Sequence, residues 1–171
     1  MKQTFILLLA GVFLFSCAEK KEAASTPAKD PNQNGYTVAK SANIDLVKAF
    51  NENAFALDTA AVRVAFAAEN DTIHDNLTKL NVTQNNELLG NLKGAGLKFT
   101  IKNYGALWET INDEPTPAGV KNFVIAYMLV NASNGKKSKD VLFHQVCAVK
   151  DGKIVEEWDV YDAKIFDELL K

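Results

Sequence analysis

Arginine is almost absent from this sequence, Arg63 being the only one among 171 residues. With 19 basic against 21 acidic side chains the formal net charge is −2, and the lysines are interspersed with acids. The basic stripe that a nucleic-acid surface needs is therefore missing, and no nucleic-acid partner is expected. An arginine fork for phosphate is equally poorly supplied, because Arg63 falls in an apolar helical stretch from which it is expected to face solvent. Histidine is scarce too. His74 and His144 lie far apart in the chain among scattered acids and meet no zinc template, so no metal site and no cofactor are expected. Glycine-rich phosphate loops, a nucleophile elbow and internal repeats are all lacking.

Long apolar runs are as rare, and the one that exists is informative. Residues 5–13 follow Lys2 and lead into Leu14-Phe15-Ser16-Cys17. The run has the length of a signal-peptide h-region and is too short to cross about 30 Å of hydrocarbon. A small residue before Cys17 resembles the processing site of bacterial lipoproteins, in which the cysteine becomes the lipidated first residue. Residues 1–17 thus read as a lipoprotein signal, with Cys17 as the membrane attachment and the bacterial cell envelope as the location. Several acyl chains, each contributing about 0.8 kcal/mol per buried methylene, hold such a protein on a membrane durably. Residues 18–41, rich in Ala, Lys, Glu, Pro, Asn and Ser, bury too little apolar surface to order themselves and read as a flexible tether. With Cys17 consumed by lipid, Cys147 has no disulfide partner; its apolar surroundings make it a core residue rather than a nucleophile.

Residues 42–171 are one domain's worth of chain with enough apolar side chains for a core. Ile44, Val47, Phe50, Ala54 and Leu57 recur at helical spacing after Ser41 and predict a first helix. Asp58 restarts the pattern as the cap of a short second helix ending near residue 68, and residues 72–75 read as a brief strand or loop. A third helix over 83–92 is stopped by Gly94-Ala95-Gly96. The period then changes to that of long strands over 97–110, 120–131, 141–150 and 153–161. Asn134-Gly135 and Asp151-Gly152 are hairpin signals, and Asp162 is placed to cap a terminal helix. Phe123, Ile125, Tyr127 and Leu129 alternate with Val124, Ala126, Met128 and Val130, so this strand is apolar on both faces. Helices cover one face; a second copy of the sheet is the natural cover for the other, and a homodimer is expected.

This element order, with its ending Asp151-Gly152-Lys153-Ile154-Val155-Glu156-Glu157-Trp158-Asp159-Val160-Tyr161-Asp162, resembles the SnoaL-like branch of the nuclear transport factor 2-like superfamily. The resemblance implies an α+β fold: a cone-shaped barrel of a curved, mostly antiparallel sheet wrapped around the N-terminal helices, with a pocket at its open end. The superfamily holds isomerases, cyclases, dehydratases and epoxide hydrolases beside binding and assembly domains without catalysis, so the fold alone assigns no activity.

Alternation places His144 in the row Leu142, His144, Val146, Ala148, whose apolar members are expected to face the barrel interior. Trp158 is likewise expected inward, with Trp108 and Tyr127 as further pocket members, and the family resemblance implies Asp75, in the short strand, as a residue of the pocket edge. The leading expectation is a small, largely apolar molecule bound in the barrel pocket. Proton-transfer chemistry with His144 and Asp75 as acid and base, and a non-catalytic dimeric assembly module, are the alternatives. An epoxide-hydrolase-like Asp-Arg-Asp set would require Arg63 to reach the pocket from the second helix, which is not expected.

Overall fold

The computed structural model describes residues 33–171, and these lie in one compact unit, Pro31–Lys171. The expected signal segment, the expected lipidation site Cys17 and most of the expected tether fall outside the described residues. Among the described residues no helix is long and apolar enough to cross a membrane.

The helices begin where the sequence provides caps. In α1 (Ala42–Phe55) the Ser41 hydroxyl accepts from the Ile44 amide at 3.1 Å, and Ile44, Val47, Phe50 and Asn51 form the buried stripe. Asp58 caps α2 (Thr59–Ala65) by accepting from the Ala61 amide at 3.1 Å. A reciprocal pair starts α3 (Val82–Gly94): Asn81 Oδ1 accepts from the Gln84 amide and Gln84 Oε1 from the Asn81 amide, both at 2.9 Å. Such boxes satisfy two amide donors that the first helical turn leaves without partners. The short α4 (Lys164–Leu169) differs from expectation, since Ala163 occupies its cap position and contributes no side-chain bond. Asp162 instead accepts from the Lys164 amide at 3.1 Å, one place too early to cap the helix.

One sheet of seven strands runs in the order β1 (Tyr36–Val38), β4 (Lys98–Ile111), β5 (Asn122–Ser133), β6 (Ser138–Lys150), β7 (Lys153–Val160), β2 (Thr72–Asp75), β3 (Thr78–Asn81). Every pairing is antiparallel except β2 with β7. Asp151 and Gly152 both take positive φ in the β6–β7 turn, the backbone a two-residue hairpin of matching twist requires. Register shifts place extra residues in β4 and, opposite Ala148 and Val149, in β7, and bend the long strands as such insertions in one strand of a pair do. The sheet is curved and unclosed, the α+β cone expected.

Two strands were not anticipated. Residues 36–38 fall in the stretch read as tether, yet they pair with Glu109, Thr110 and Ile111 at the sheet edge. The domain thus begins before residue 42, and a three-residue strand with exposed Tyr36 is too short to leave an alternation signal. The second, β3, forms a hairpin with β2 around Asn76 and Leu77.

The core divides into two clusters. Val47, Phe50, Val62, Phe66, Ile73 and Ile154 close one end of the cone against α1 and α2. Leu97, Met128, Val130, Val141, Phe143 and Leu169 hold the other end, beneath α4. Val47, Val62 and Ile154 have no exposed surface, and burying each such side chain contributes about 1.5–3 kcal/mol. Cys147, fully buried in the first cluster, is the core residue expected, and burial pushes its thiol well above the ordinary range, with Glu157 and Asp159 adding to the effect.

Candidate functional site

Side chains on the helix-facing side of β6, β7 and β2 come from Phe143, Gln145 and Cys147, from Glu157 and Asp159, and from Ile73 and Asp75. The registers Gln145↔Asp159 and Asp75↔Asp159 put three polar side chains in one row across three strands. In the next row Glu157 lies between Cys147 and Ile73. Opposite this polar strip stand α1, α3 and α4, and the space between is a cavity of about 270 Å³. That is near the lower end of the range for small-molecule pockets. Its wall is otherwise apolar, with Phe50, Leu88, Leu89 and Phe166 among its members. Larger but more open grooves beside Lys48 and Lys93 carry only exposed charges.

Within the cavity the polar groups act on one another. Tyr161 donates its hydroxyl to Asp75 Oδ1 at 2.6 Å, and Gln145 Nε2 donates to Glu157 Oε1 at 2.8 Å. Glu157 and Asp159 are neighbours two positions apart on one strand face, close enough for their carboxyl groups to act on one another. Burial, reinforced by the Asp159 carboxyl, pushes Glu157 well above the usual carboxylate range. Burial is also the main cause that carries Asp159 up to about 7, with the charge of Asp75 adding and the neighbouring Glu157 and Gln145 side chains opposing. Tyr161 is raised by burial and by Asp75. Two crowded carboxyl groups in a poorly solvated site cannot both ionise cheaply, so near neutral pH the pair holds a proton between them. Such a pair can take up or release a proton at physiological pH.

Several buried polar atoms in or beside this cavity have no partner: Gln145 Oε1, Asp159 Oδ1 and both amide atoms of Asn51. Gln145 is 3% exposed and Asn51 is fully buried. Asn51 leans toward the Tyr104 hydroxyl without closing a good hydrogen bond.

Of the residues expected to line the pocket, Asp75 does. His144, Trp158, Tyr127 and Trp108 do not, and this corrects the expected phase of the strands. His144 pairs with Val160 and Val146 with Trp158, so His144 and Trp158 do share a face, but it is the outer one. There the Tyr127 ring stacks on His144 at 4.3 Å between centroids and on Trp108 at 6.1 Å. Trp158 stacks on His74 at 5.4 Å, and His74 Nε2 meets Glu156 at 2.8 Å. The reason for the inversion is physical. Both rows of β6 are apolar, so alternation fixes their period and leaves their phase open. In β7 the row bearing Trp158 looked more like core than the row Glu157, Asp159, Tyr161, because buried acids invert the usual burial preference. The acid row itself was the signal that pointed to the cavity.

Arg63 pairs with Glu69 and stands outside this cavity, as expected. Among the described residues no group of His, Cys, Asp and Glu has the arrangement to hold a metal ion.

This is the cone fold of the nuclear transport factor 2-like, SnoaL-like proteins. No family model and no curated protein matches the sequence. In three dimensions the chain is similar to an LEH-like epoxide hydrolase from M. tuberculosis, at 18% identity and TM-score 0.55 over 75% of this chain and 90% of that one. It is also similar to a putative polyketide cyclase from Xanthomonas campestris pv. campestris, at 13% identity and TM-score 0.58 over 78% of this chain and all of that one. A putative polyketide cyclase from Bacillus cereus matches at 16% identity and TM-score 0.55, over 75% and 80% of the two chains. At these identities the likeness is one of fold.

Proposed function

We propose that this protein is a lipoprotein of the bacterial cell envelope, anchored through Cys17, whose folded domain takes a small, largely apolar molecule into the cavity between sheet and helices. The observation that carries the reading is the convergence of buried polar groups on the floor of an otherwise apolar cavity. An apolar core has no need of three carboxyl groups, and burying them costs stability that a binding site recovers through its ligand.

A second reading, proton-transfer catalysis of the isomerase, cyclase or dehydratase type, is favoured by the raised Asp159 and its partners. In it Asp159 and Glu157 shuttle the proton, and the Tyr161–Asp75 pair provides a hydroxyl poised near the substrate. His144, on the outer face, takes no part; of the pair first expected to act as acid and base, Asp75 alone is retained. The outer aromatic face serves the homodimer: Tyr127, Leu142 and Val160 are 43%, 72% and 58% exposed and offer a second copy of the same sheet an apolar surface.

Two experiments test the reading. Cys17→Ser is expected to leave unprocessed precursor; maturation to an unchanged mass with unchanged membrane partitioning would refute the anchor. Small alicyclic and aromatic compounds screened by saturation-transfer NMR are expected to bind the wild type and not Leu89→Trp, which fills the cavity. Binding that survives Leu89→Trp and is lost in Trp158→Ala would move the site to the outer face.

A further inference from the structure

The polar floor of the cavity is one-sided in charge. Asp75, Glu157 and Asp159 line it, whereas no lysine, arginine or histidine among the described residues does. The histidine nearest in sequence, His74, is turned to the outer face and engaged with Glu156. Among the described residues, the unpartnered atoms of the sheet floor, Gln145 Oε1 and Asp159 Oδ1, are both acceptors, while the unpartnered Asn51 amide, with its donor and its acceptor, belongs to α1 on the opposite wall. Gln145 is nine-tenths and more buried, and its Nε2 is already committed to Glu157. A buried acceptor without a donor costs free energy until one arrives, and backbone cannot supply it from across an open cavity. The missing element is therefore a donor, and one that compensates negative charge.

We propose that the ligand of this cavity carries a cationic amine head on a compact apolar body, the ammonium docking between Asp159, Glu157 and the Gln145 carbonyl while the body lies against α3 and Phe166. An ammonium presents three donors and no acceptor, which matches this floor; a carboxylate or phosphate ligand there faces three carboxyl groups and no cation. The inference rests on the cavity being a ligand site and narrows the class of molecule that enters it. The protonation balance is definite. The cation enters, the proton shared by Glu157 and Asp159 leaves to solvent, and the charge of the site is conserved. The groups facing that pair are Asp75, Tyr161, Gln145 and Cys147, none of them cationic.

The test uses the full chain in phosphatidylcholine nanodiscs, with empty nanodiscs as reference, and two isosteric probes, benzylammonium and benzyl alcohol. Calorimetry at pH 7 in two buffers of different ionisation enthalpy reads affinity and proton release together. Benzylammonium is expected to bind about tenfold or more tightly than the alcohol, with a buffer-dependent heat that marks proton release. In Asp159→Asn, folding being checked by circular dichroism, that preference is expected to fall to within about twofold and the buffer dependence to vanish. Equal or tighter binding of the alcohol to the wild type would overturn the amine inference while leaving the cavity as the binding site. Binding of neither probe above the nanodisc reference would overturn both. A preference that persists in folded Asp159→Asn would place the cation elsewhere and overturn it as well.

Discussion

Glu109 and Glu157 are both buried acids, 1% and 3% exposed, on strands of the same sheet, and their carboxyl groups shift in opposite directions. Around Glu109 the fold supplies donors: Asn43 Nδ2 at 2.6 Å and Asn122 Nδ2 at 2.5 Å, with Ser41 also in reach. Burial works against its charge, but those donors prevail and hold the carboxyl below the usual range. Glu157 has one amide donor and faces two more carboxyl groups, so burial wins and the carboxyl rises. Burial alone therefore says little about an acid. What decides is whether the chain completes the donor set, and it does so where Glu109 ties the start of α1 to β4 and β5 but not at the cavity. An acid that the fold satisfies is structural; one left unsatisfied marks a place where something else is expected to bind.

The largest contrast should appear in stability. Glu109→Gln turns an acceptor of two or more donors into an amide whose own NH₂ opposes them, and is expected to cost about 1–3 kcal/mol at pH 7. Glu157→Gln and Asp159→Asn relieve a crowded, poorly solvated carboxyl pair and are expected to raise stability at pH 8, by about 1 kcal/mol or more each. Denaturant unfolding of the three variants checks the opposite signs, and a loss of stability in both cavity variants would break the comparison.

The pH dependence should separate the same groups. Glu109, depressed in the fold, adds stability that is present above its unfolded pKa and disappears as the pH falls below it. Glu157 and Asp159, raised in the fold, favour the folded state fully below about pH 4 and progressively lose that contribution as the pH climbs through 7. Stability measured by urea unfolding from pH 4 to 8 is expected to decline by a few kcal/mol on the alkaline side, and Asp159→Asn to flatten that decline.

Outside these acids the two faces of β5 provide a further contrast. Met128, 1% exposed, and Tyr127, 43% exposed, are neighbours on opposite faces. Met128→Ala is expected to cost about 2–5 kcal/mol. Tyr127→Lys should change the stability of the protomer by less than about 1 kcal/mol and convert a dimer to a monomer in sedimentation at micromolar concentration. A wild-type protein that already sediments as a monomer would remove the second copy from the outer face.

That pair of faces also explains how much was legible beforehand. Capping residues and turn dipeptides are local, so Ser41, Asp58, Asn134-Gly135 and Asp151-Gly152 announced α1, α2 and the hairpins within a few residues. The long strands were legible by period. Their phase was not, because Leu142, His144 and Val146 are as apolar as Val141, Phe143 and Val149, and choosing the inner row needs knowledge of what lies above it. The cavity was missed for the reason that makes it a candidate site: Glu157, Asp159 and Gln145 break the rule that polar residues face water. Asp75 was found because the β2 strand is short and its position was tied to a fold resemblance rather than to burial.

The shared proton at the cavity floor is the centre of this account, and the carboxyl carbon of Asp159 reports it directly. In protein labelled with ¹³C at aspartate side chains and titrated from pH 3 to 9, the Asp159 signal is expected to move with a midpoint near 7, and the midpoint to disappear with the signal in Asp159→Asn. An Asp159 carboxyl that titrates near the ordinary value of about 4 would contradict the account, because the cavity floor would then be an ordinary solvated set of acids with no proton to exchange and no donor wanting.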